Sequence, residues 1–298
     1  MNDCLLITLA DKNYIDQAKQ LFSGVYFNSG WKGDYMLLTN NISKKELNWF
    51  EKRGILTKVI KEKEIKLLKF HIFTLEFKKW KNIVFLDSDI IVRSSLEALT
   101  KVNGFAAAQD TSSKKIKNYF KNNKKLINTL KKTYNLNKKA FNSGVISFNT
   151  DLIQPSTFKK LKDLFNRYKN PKFPLIDQPI LNLYFYNKWK KIPITYNFPV
   201  PQMIYKNNIS PKCIRGAVLH FWGLKNKPIK KLWDPENPFF NEWKHNLEKS
   251  SSIKTKEPLP PKQIWTKKMT NSYLRYIKRK EITSTIDRYI GKLGSLIK

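Results

Sequence analysis

The segment that most constrains the fold of this chain runs from residue 81 to residue 93 and reads K-N-I-V-F-L-D-S-D-I-I-V-R. Its apolar run, residues 83–86, is too short for a helix and rich in branched and aromatic residues, which predicts a strand buried on both faces of a sheet. Asp87 and Asp89 follow that strand directly. Because an unpaired buried charge costs several kcal/mol, these carboxylates need partners. In an open α/β sheet, the carboxyl ends of the strands are where ligands bind.

The acidic pair has two interpretations. Carboxylate oxygens are preferred ligands of Mg²⁺ and Mn²⁺, and Mg²⁺ is typically held by one or two carboxylates together with substrate phosphates. Alternatively, Asp87 caps a turn that leads into the next segment. The position of the pair at the end of a short apolar strand favours the metal site.

The rest of the chain alternates between strand-like and helix-like segments, which predicts an α/β fold with a mostly parallel sheet. Further strands are predicted at residues 4–9, 35–38, 55–60, 105–110, 141–149 and 217–223. Helices are predicted at residues 15–27, 46–54 and 66–79, and another begins at Asp177, where aspartate can cap and the proline that follows is tolerated.

Two lysine-rich segments interrupt this pattern. Residues 111–140 hold ten lysines and no acidic residue, and they are either a solvated excursion or a mobile lid over an anionic ligand. Residues 249–298 hold thirteen basic and three acidic residues. Prolines at 258, 260 and 261, near the start of this segment, mark a linker. We therefore expect one large domain at 1–248 and a basic helical extension at 249–298.

The formal net charge of +34 attracts anionic partners, but its composition does not favour nucleic acid. Only seven of the 57 basic residues are arginine, the residue that makes bidentate contacts with bases and phosphates. A nucleic-acid-binding protein remains an alternative, as does a two-metal nuclease or phosphatase. The latter needs further carboxylates near the acidic pair, and the next acid after Glu97 is Asp110.

Cysteine usage and hydropathy bear on the cellular compartment. Cys4 and Cys213 can build neither a disulfide framework nor a thiolate zinc site, so a reducing compartment is expected. The apolar run at residues 4–10 lacks a preceding basic region, so we do not interpret it as a signal peptide. No stretch approaches the roughly 18 apolar residues of a transmembrane helix. These features predict a cytoplasmic protein.

Five motifs occur in a characteristic order: A-D-K-N-Y at 10–14, D-S-D at 87–89, F-N-S-G-V at 141–145, D-Q-P-I-L-N at 177–182 and H-F-W-G-L-K-N-K-P at 220–228. Together they resemble the retaining family 8 glycosyltransferases, which include glycogenins and bacterial lipopolysaccharide galactosyl- and glucosyltransferases. The resemblance implies a GT-A fold with a Rossmann-like half, residues 1–110, that binds a UDP-sugar. The other half, residues 141–248, would bind the metal and the acceptor.

The resemblance also implies roles for individual residues. The implied donor-binding residues are Ala10, Asp11, Asn13, Tyr14, Lys69, Asp87, Ser88, Asn142, Ser143, Gly223 and Lys227. Tyr14 would stack on the uracil, and Lys227, or Lys225 in its place, would contact the diphosphate. The implied ligands of Mn²⁺, or of Mg²⁺, are Asp87, Asp89 and His220. Asp177 and Gln178 would face the transferred sugar and are the implied catalytic residues.

Some positions depart from the family pattern or have a plainer explanation. Lys69 lies two residues further from the acidic pair than the family's basic residue, and Ile229 stands where tryptophan is usual. His220 could be a packing residue, Asn142 a polar turn residue and Asp177 simply a helix cap.

The extension carries two apolar stripes among basic residues, Trp265, Met269, Tyr273 and Ile277, then Ile282, Ile286, Tyr289, Ile290 and Leu293. Such helices lie on anionic membranes, or they pack on their own domain. The resemblance favours the membrane, because the acceptors of lipopolysaccharide transferases are lipid-linked. We therefore expect a glycan acceptor, lipid-linked and anionic, and a peripheral location on the inner face of the membrane.

Overall fold

The structure is a computed structural model that describes residues 2–62, 65–168, 177–222 and 230–296. Its strands are β1 Cys4–Leu9, β2 Asp34–Thr39, β3 Leu56–Val59, β4 Asn82–Leu86, β5 Ile90–Val92, β6 Phe105–Gln109, β7 Phe141–Asn149, β8 Trp189–Lys191, β9 Phe198–Pro199 and β10 Val218–His220. Its α-helices are α1 Ile15–Asn28, α2 Lys44–Glu51, α3 Ile65–Leu68, α4 Glu97–Thr100, α5 Lys124–Lys131, α6 Thr157–Tyr168, α7 Asp177–Tyr184, α8 Val200–Tyr205, α9 Phe240–Lys249 and α10 Lys267–Leu296.

The larger of two sheets has seven strands in the order β3-β2-β1-β4-β7-β6-β8. The pairings from β3 through β4 are parallel, as is β6 with β8, whereas β7 runs antiparallel to both of its neighbours. The prediction of a mostly parallel α/β sheet is confirmed. Because β1 and β4 are parallel neighbours, the loop after β1 and the acidic pair after β4 lie at the same edge of the sheet.

The smaller sheet has three strands in the order β5-β10-β9 and begins directly after the acidic pair. β5 runs antiparallel to β10, with Ile90 opposite His220. The backbone N–H of Phe221 also donates to the carbonyl oxygen of Asp89 at 3.0 Å. This pairing brings two distant parts of the chain, residues 89 and 220, to one place.

The core lies on both faces of the larger sheet, and β4 contributes to each side. Ile83 and Phe85 pack with the segment at 65–79, α6 and α7, while Val84 and Leu86 pack with α1, α9 and the start of α10. All four side chains are fully buried. The predicted strand with two buried faces is confirmed.

The predicted helix at 66–79 is wrong. Helix α3 ends at Leu68, and two 3₁₀ turns follow, Lys69–Phe73 and Leu75–Lys79, separated by Thr74 in an extended conformation. The hydroxyl of Thr74 donates to the carbonyl oxygen of His71 at 2.9 Å. A β-branched residue that bonds its own preceding turn competes with the helical hydrogen bonds, which explains the break.

The C-terminal extension is helical, but its first apolar stripe does not face solvent. Trp265, Tyr273 and Ile277 are buried in the same core cluster as α1 and β4. The hydroxyl of Tyr273 donates to the carbonyl oxygen of Cys213 at 3.1 Å and accepts from the backbone N–H of Arg215 at 2.9 Å. The expectation that this stripe meets a membrane is therefore wrong, because its apolar surface is used in packing.

Candidate active site

The acidic pair lies in a tight turn between β4 and β5. The backbone N–H of Asp87 donates to the carbonyl oxygen of Gly144 at 2.8 Å, which ties the turn to β7. The side-chain amide of Gln20 donates to the carbonyl oxygen of Ser88 at 3.3 Å. The side chains of Asp87 and Asp89 stay 31% and 28% exposed. The turn is thus fixed by its backbone, and both carboxylates are mostly buried but remain accessible from one side.

His220 completes a cluster of metal-type ligands with the two aspartates. Its Nε2 atom lies 3.1 Å from Oδ1 of Asp89 and 3.8 Å from Oδ2 of Asp87. One ligand atom from each of the three residues lies within 4.8 Å of the others. Two carboxylates and an imidazole are a donor set that Mn²⁺ accepts, and the three residues implied as metal ligands are brought together.

Gly144 is required by the close approach of this imidazole. A β-carbon at position 144 would overlap the ring of His220, with Nδ1 only 2.6 Å away. The ring of Trp222 packs edge-on against His220 from another direction, with centroids 4.6 Å apart. The imidazole is therefore held in place by packing as well as by its polar contacts.

Lys69 lies between two carboxylates of the site. Its ammonium is 3.0 Å from Oδ1 of Asp87 and 2.9 Å from Oδ2 of Asp177, and it also donates to the carbonyl oxygen of Ser143 at 3.3 Å. The residue is only 5% exposed. Burial lowers the pKa of Lys69, but Asp177 and Asp87 outweigh this effect and hold the pKa above its usual range. Lys69 is therefore a fixed positive charge.

The three aspartates differ in their protonation equilibria. Burial raises the pKa of Asp87, against the opposing effects of Lys69 and His220. Burial also acts to raise the pKa of Asp89, but His220 outweighs it and the pKa falls below the usual range. For Asp177, burial is likewise outweighed by Lys69, which lowers the pKa. Asp177 is thus held ionised, and a bound cation would favour the ionised form of Asp87 as well.

Asp177 and Gln178 open α7 and bond to the same strand residue. The hydroxyl of Ser143 donates to Oδ2 of Asp177 at 2.9 Å, and the backbone N–H of Ser143 donates to Oε1 of Gln178 at 2.9 Å. The Nε2 atom of Gln178 donates to Oδ2 of Asp110 at 3.0 Å and to the hydroxyl of Tyr119 at 2.8 Å. Both ends of the Gln178 amide are occupied, so this side chain is held in one position.

Asp110 and Tyr119 are site residues that the sequence analysis missed. The hydroxyl of Tyr119 donates to Oδ2 of the fully buried Asp110 at 2.8 Å. The position of Asp110 at the end of β6 is a signal of the same kind as the acidic pair. No sequence signal distinguishes Tyr119 within its apolar pattern.

Tyr119 belongs to the lysine-rich insertion, residues 111–140, which is anchored on α7. A small apolar cluster holds it there, formed by Ile116, Tyr119, Phe120, Leu130, Leu136 and Ala140 together with Leu183 of α7. A wholly solvated excursion is therefore excluded for these residues. That the insertion closes over a donor stays a prediction.

Asn142 and Ser143, implied to line the sugar pocket, are both largely buried. The Oδ1 atom of Asn142 accepts from the backbone N–H of Gly144 at 2.9 Å and from Nδ2 of Asn197 at 2.8 Å. Asn197 in turn lies 2.8 Å from Nδ1 of His220. Asn197 has no motif around it in the sequence and was missed.

The implied uridine-binding loop follows β1 at the same edge of the sheet. Ala10 is buried, and its N–H donates to the carbonyl oxygen of Leu38 at 3.1 Å. The carboxylate of Asp11 accepts from the N–H of Asn13 at 2.8 Å. Tyr14 is 38% exposed, and its ring packs edge-on against Trp233 with centroids 5.8 Å apart.

The remaining implied donor contacts, Gly223 and Lys227 with its substitute Lys225, lie outside the described residues. Their roles stay predictions. Among the residues that the structure describes, no helix combines the length and the apolar character needed to cross a bilayer.

A family model described as glycosyl transferase family 8 matches residues 42–234 of this chain. That span contains the acidic pair, the insertion, Asp177 and His220. A search of curated protein sequences finds no match.

Solved glycosyltransferases share the fold. The bifunctional glycosyltransferase WbbM matches with a TM-score of 0.63 and 18% identity over 86% of this chain and 52% of its own. The apo form of GlyE from Streptococcus pneumoniae TIGR4 matches with a TM-score of 0.62 and 18% identity over 86% of this chain and 62% of its own.

The galactosyltransferase LgtC, solved with donor and acceptor sugar analogues, matches with a TM-score of 0.59 and 17% identity over 86% of this chain and 97% of its own. This chain thus spans about half of WbbM and less than two thirds of GlyE, but nearly all of LgtC. At these identities the similarity concerns the fold, which is of the GT-A type.

Proposed function

The chain belongs to glycosyl transferase family 8, and we propose that it is a metal-dependent, retaining enzyme that moves a hexose from UDP-glucose or UDP-galactose to a hydroxyl group of a glycan. The observation that carries this proposal is the convergence of Asp87, Asp89 and His220 on one point, with Lys69 behind them. A nucleotide diphosphate is the leaving group that such a cluster of cation ligands and fixed positive charge suits.

The chemical task of the site is to stabilise the negative charge that grows on the departing diphosphate. Mn²⁺ or Mg²⁺ held by Asp87, Asp89 and His220 would supply that stabilisation without proton transfer. Lys69 contributes a second positive charge, and its position between Asp87 and Asp177 keeps it rigid. Preorganised charges of this kind lose little energy to reorganisation during the reaction.

The donor would lie along the edge of the sheet where β1 and β4 end. We assign the uridine to Ala10, Asp11, Asn13 and the ring of Tyr14. Tyr14 suits a stacking role because it is partly exposed and supported on one side by Trp233. Ser88 lies in the turn next to the diphosphate position, and Lys227 is expected to reach the diphosphate from the loop after β10.

Asp177 and Gln178 have different roles at the transferred sugar. The carboxylate of Asp177 is held ionised by Lys69 and can accept a hydrogen bond from a sugar hydroxyl. Gln178 donates through Nε2 and accepts through Oε1 within the protein, so we assign it a positioning role for Ser143. Because the Gln178 amide is bonded at both ends and the Asp177 carboxylate is paired with Lys69, we assign neither as a nucleophile, and retention would proceed by departure and attack on the same face of the sugar.

We further propose a division of labour along the chain. Residues 1–110 would bind the nucleotide and supply two of the metal ligands, Asp87 and Asp89, whereas residues 141–248 would supply His220 and bind the acceptor. Residues 111–140 would form a lid, and residues 249–298 form the extension. The acceptor would be a surface glycan such as lipopolysaccharide, lipid-linked and anionic, which the net charge of +34 would attract. The enzyme would then work in the cytoplasm at the inner face of the membrane.

A donor-binding experiment tests the proposal. A panel of UDP-sugars is added with Mn²⁺, and the melting temperature is followed. A donor at 100 times its dissociation constant stabilises the folded state by about 2.7 kcal/mol. EDTA and Asp89→Ala should each remove the shift, and the stabilising donors are then offered with glycan acceptors. A panel in which no UDP-sugar raises the melting temperature would contradict the proposal.

A further inference from the structure

A chain of buried hydrogen bonds connects the backbone of β7 to the imidazole of His220. The N–H of Gly144 donates to Oδ1 of Asn142 at 2.9 Å, and Nδ2 of Asn197 donates to the same oxygen at 2.8 Å. The Oδ1 atom of Asn197 lies 2.8 Å from Nδ1 of His220. Asn197 is fully buried, and the other two side chains are nearly so.

The direction of every bond in this chain follows from the backbone group at its start. A backbone N–H can only donate, so the atom of Asn142 that meets it must be the carbonyl oxygen. The same oxygen meets Asn197, which must therefore present its NH₂ group. Asn197 then turns its own carbonyl oxygen toward His220, and Nδ1 of His220 must carry a proton in order to donate to it.

This polarity decides what the other ring nitrogen offers. In a neutral imidazole with the proton on Nδ1, the Nε2 atom carries a lone pair. Here Nε2 faces Oδ1 of Asp89 at 3.1 Å and Oδ2 of Asp87 at 3.8 Å. A lone pair opposite two carboxylates is unfavourable unless a proton or a cation lies between them.

We propose that Asn142 and Asn197 are positioning residues that fix the tautomer of His220, so that Nε2 is reserved for the metal ion. The inference rests on the proposed metal-dependent function and deepens it. It changes the role of Asn142, whose side chain serves the metal ligand rather than the wall of the sugar pocket. Partners of this kind orient the ring and raise the basicity of the ligating nitrogen.

Two nearly isosteric variants at position 197 test the proposal. Asn197→Asp keeps an acceptor for Nδ1–H, whereas Asn197→Leu removes it. The affinity for Mn²⁺ in the presence of UDP, without any sugar, is measured per folded molecule from the electron paramagnetic resonance signal of free Mn²⁺. We expect Asn197→Leu to weaken Mn²⁺ binding by about 10- to 100-fold and Asn197→Asp to stay near wild type.

The same variants separate this role from simple packing. Position 197 is fully buried, so leucine suits it better than an added carboxylate, and Asn197→Asp should be the less stable protein in urea. A packing role predicts that Mn²⁺ affinity follows stability, whereas the proposal predicts the opposite order. Asn246→Leu, at another buried amide on α9, is the matched control and should bind Mn²⁺ as wild type does.

Position 142 supplies a second test. Asn142→Asp keeps an acceptor for the backbone N–H of Gly144 and for Nδ2 of Asn197, and it should bind Mn²⁺ normally. Asn142→Leu removes that acceptor, so the side-chain amide of Asn197 is free to rotate by 180° and Mn²⁺ binding should weaken. A residue of the sugar pocket would instead change the KM for the UDP-sugar and leave the affinity for Mn²⁺ with UDP unchanged.

The possible failures can be told apart. Wild-type binding of Mn²⁺ by Asn197→Leu would overturn the inference alone. A wild-type protein that binds no Mn²⁺ would overturn both the inference and the metal dependence. Mn²⁺ binding that follows the expected order in a protein that transfers no sugar would leave the inference standing and refute the proposed activity.

Discussion

Lys69 lies between two carboxylates of the candidate site and forms an ion pair with each. Its contacts with Asp87 and Asp177 are made by a residue that is almost entirely buried. Removing one partner of a buried ion pair costs about 3–5 kcal/mol, because the remaining charge is left without compensation. A residue that the resemblance implies for donor binding is therefore also important for stability.

The acidic pair should separate catalysis from stability. We expect Asp87→Ala and Asp89→Ala each to lower sugar transfer by about 10²-fold or more, because each removes a cation ligand. Asp89→Ala should also lower the free energy of unfolding near pH 7, since His220 depresses the pKa of Asp89 and so stabilises its ionised form in the folded state. The raised pKa of Asp87 predicts a smaller loss of stability for Asp87→Ala. Transfer assays with Mn²⁺ and urea unfolding measure the two effects. A larger loss of stability in Asp87→Ala than in Asp89→Ala would contradict this order.

Replacing Lys69 should change how stability depends on pH. In the wild type, Lys69 depresses the pKa of Asp177 in the folded state. This ion pair therefore contributes its full stability above the unfolded carboxyl pKa of about 4. The contribution is lost as the pH falls through the lower pKa of the folded state. In Lys69→Met, the lowering effect of Lys69 is lost at both carboxyls, so the pKa of Asp87 rises further and that of Asp177 rises with it. The folded state then binds protons more readily than the unfolded one, so this variant should gain stability on acidification.

Urea unfolding of both proteins at about pH 7 and about pH 5 checks this sign. The difference in unfolding free energy between wild type and Lys69→Met should shrink as the pH falls. A difference that stays constant would show that Lys69 does not hold these carboxylates ionised. Met is used because it keeps the length of the side chain without its charge.

At the scale of elements, strands were predicted better than the segments that complete the site. β1 and β7 begin and end where their apolar runs predict. The helix predicted at 66–79 is interrupted because the hydroxyl of Thr74 donates to the carbonyl oxygen of His71, a contact that the spacing of apolar residues does not reveal. β5 and β9 are only three and two residues long, and their pairing depends on tertiary contacts. Asn197 lies beside β9, so a sequence without a motif there gives no indication of its role.

The insertion should affect turnover through one hydroxyl group. Tyr119→Phe removes a donor to Asp110 and the acceptor for Gln178. We expect a lower kcat with unchanged affinity for Mn²⁺ and UDP, and a loss of stability of about 1–3 kcal/mol from the unsatisfied buried groups. Tyr134→Phe is the matched control, because Tyr134 packs against Tyr186 at another part of the insertion. Similar kinetics for both variants would argue against the coupling.

Donor binding should order the exposed part of the same insertion. Its apolar side chains are already anchored, but the lysines of α5 are largely exposed and repel one another. We expect hydrogen exchange in residues 111–140 to slow when UDP-sugar and Mn²⁺ are added, most of all around α5. Exchange that is equally fast with and without donor would leave an anchored insertion that is not a lid.

At the scale of the whole molecule, the extension combines two properties that the sequence could not separate. The sequence showed two apolar stripes among basic residues, and both membrane docking and self-packing were consistent with them. In the structure the first stripe packs on the domain, with Tyr273 against Phe198 at a centroid distance of 5.4 Å. Of the second stripe only Ile282 lies among the side chains that the structure describes, and it is exposed. For the rest of the described part of α10, a membrane contact would therefore depend on its basic side and not on Trp265.

This distinction gives the last prediction. Six basic residues near the start of α10 are exposed: Lys267, Lys268, Arg275, Lys278, Arg279 and Lys280. Each basic residue near an anionic bilayer contributes about 1 kcal/mol, and the attraction is screened by salt. Replacing all six by glutamine should abolish co-sedimentation with anionic vesicles while leaving the melting temperature close to wild type.

The matched control is Trp265→Ala, which should lower the melting temperature and leave vesicle binding unchanged, because it removes a packed aromatic side chain and no charge. If Trp265→Ala lost vesicle binding at a temperature where it is fully folded, the first apolar stripe would have to contact the membrane after all. Equal binding of the wild type to neutral and anionic vesicles would instead refute an electrostatic contact and favour an acceptor that is free in solution.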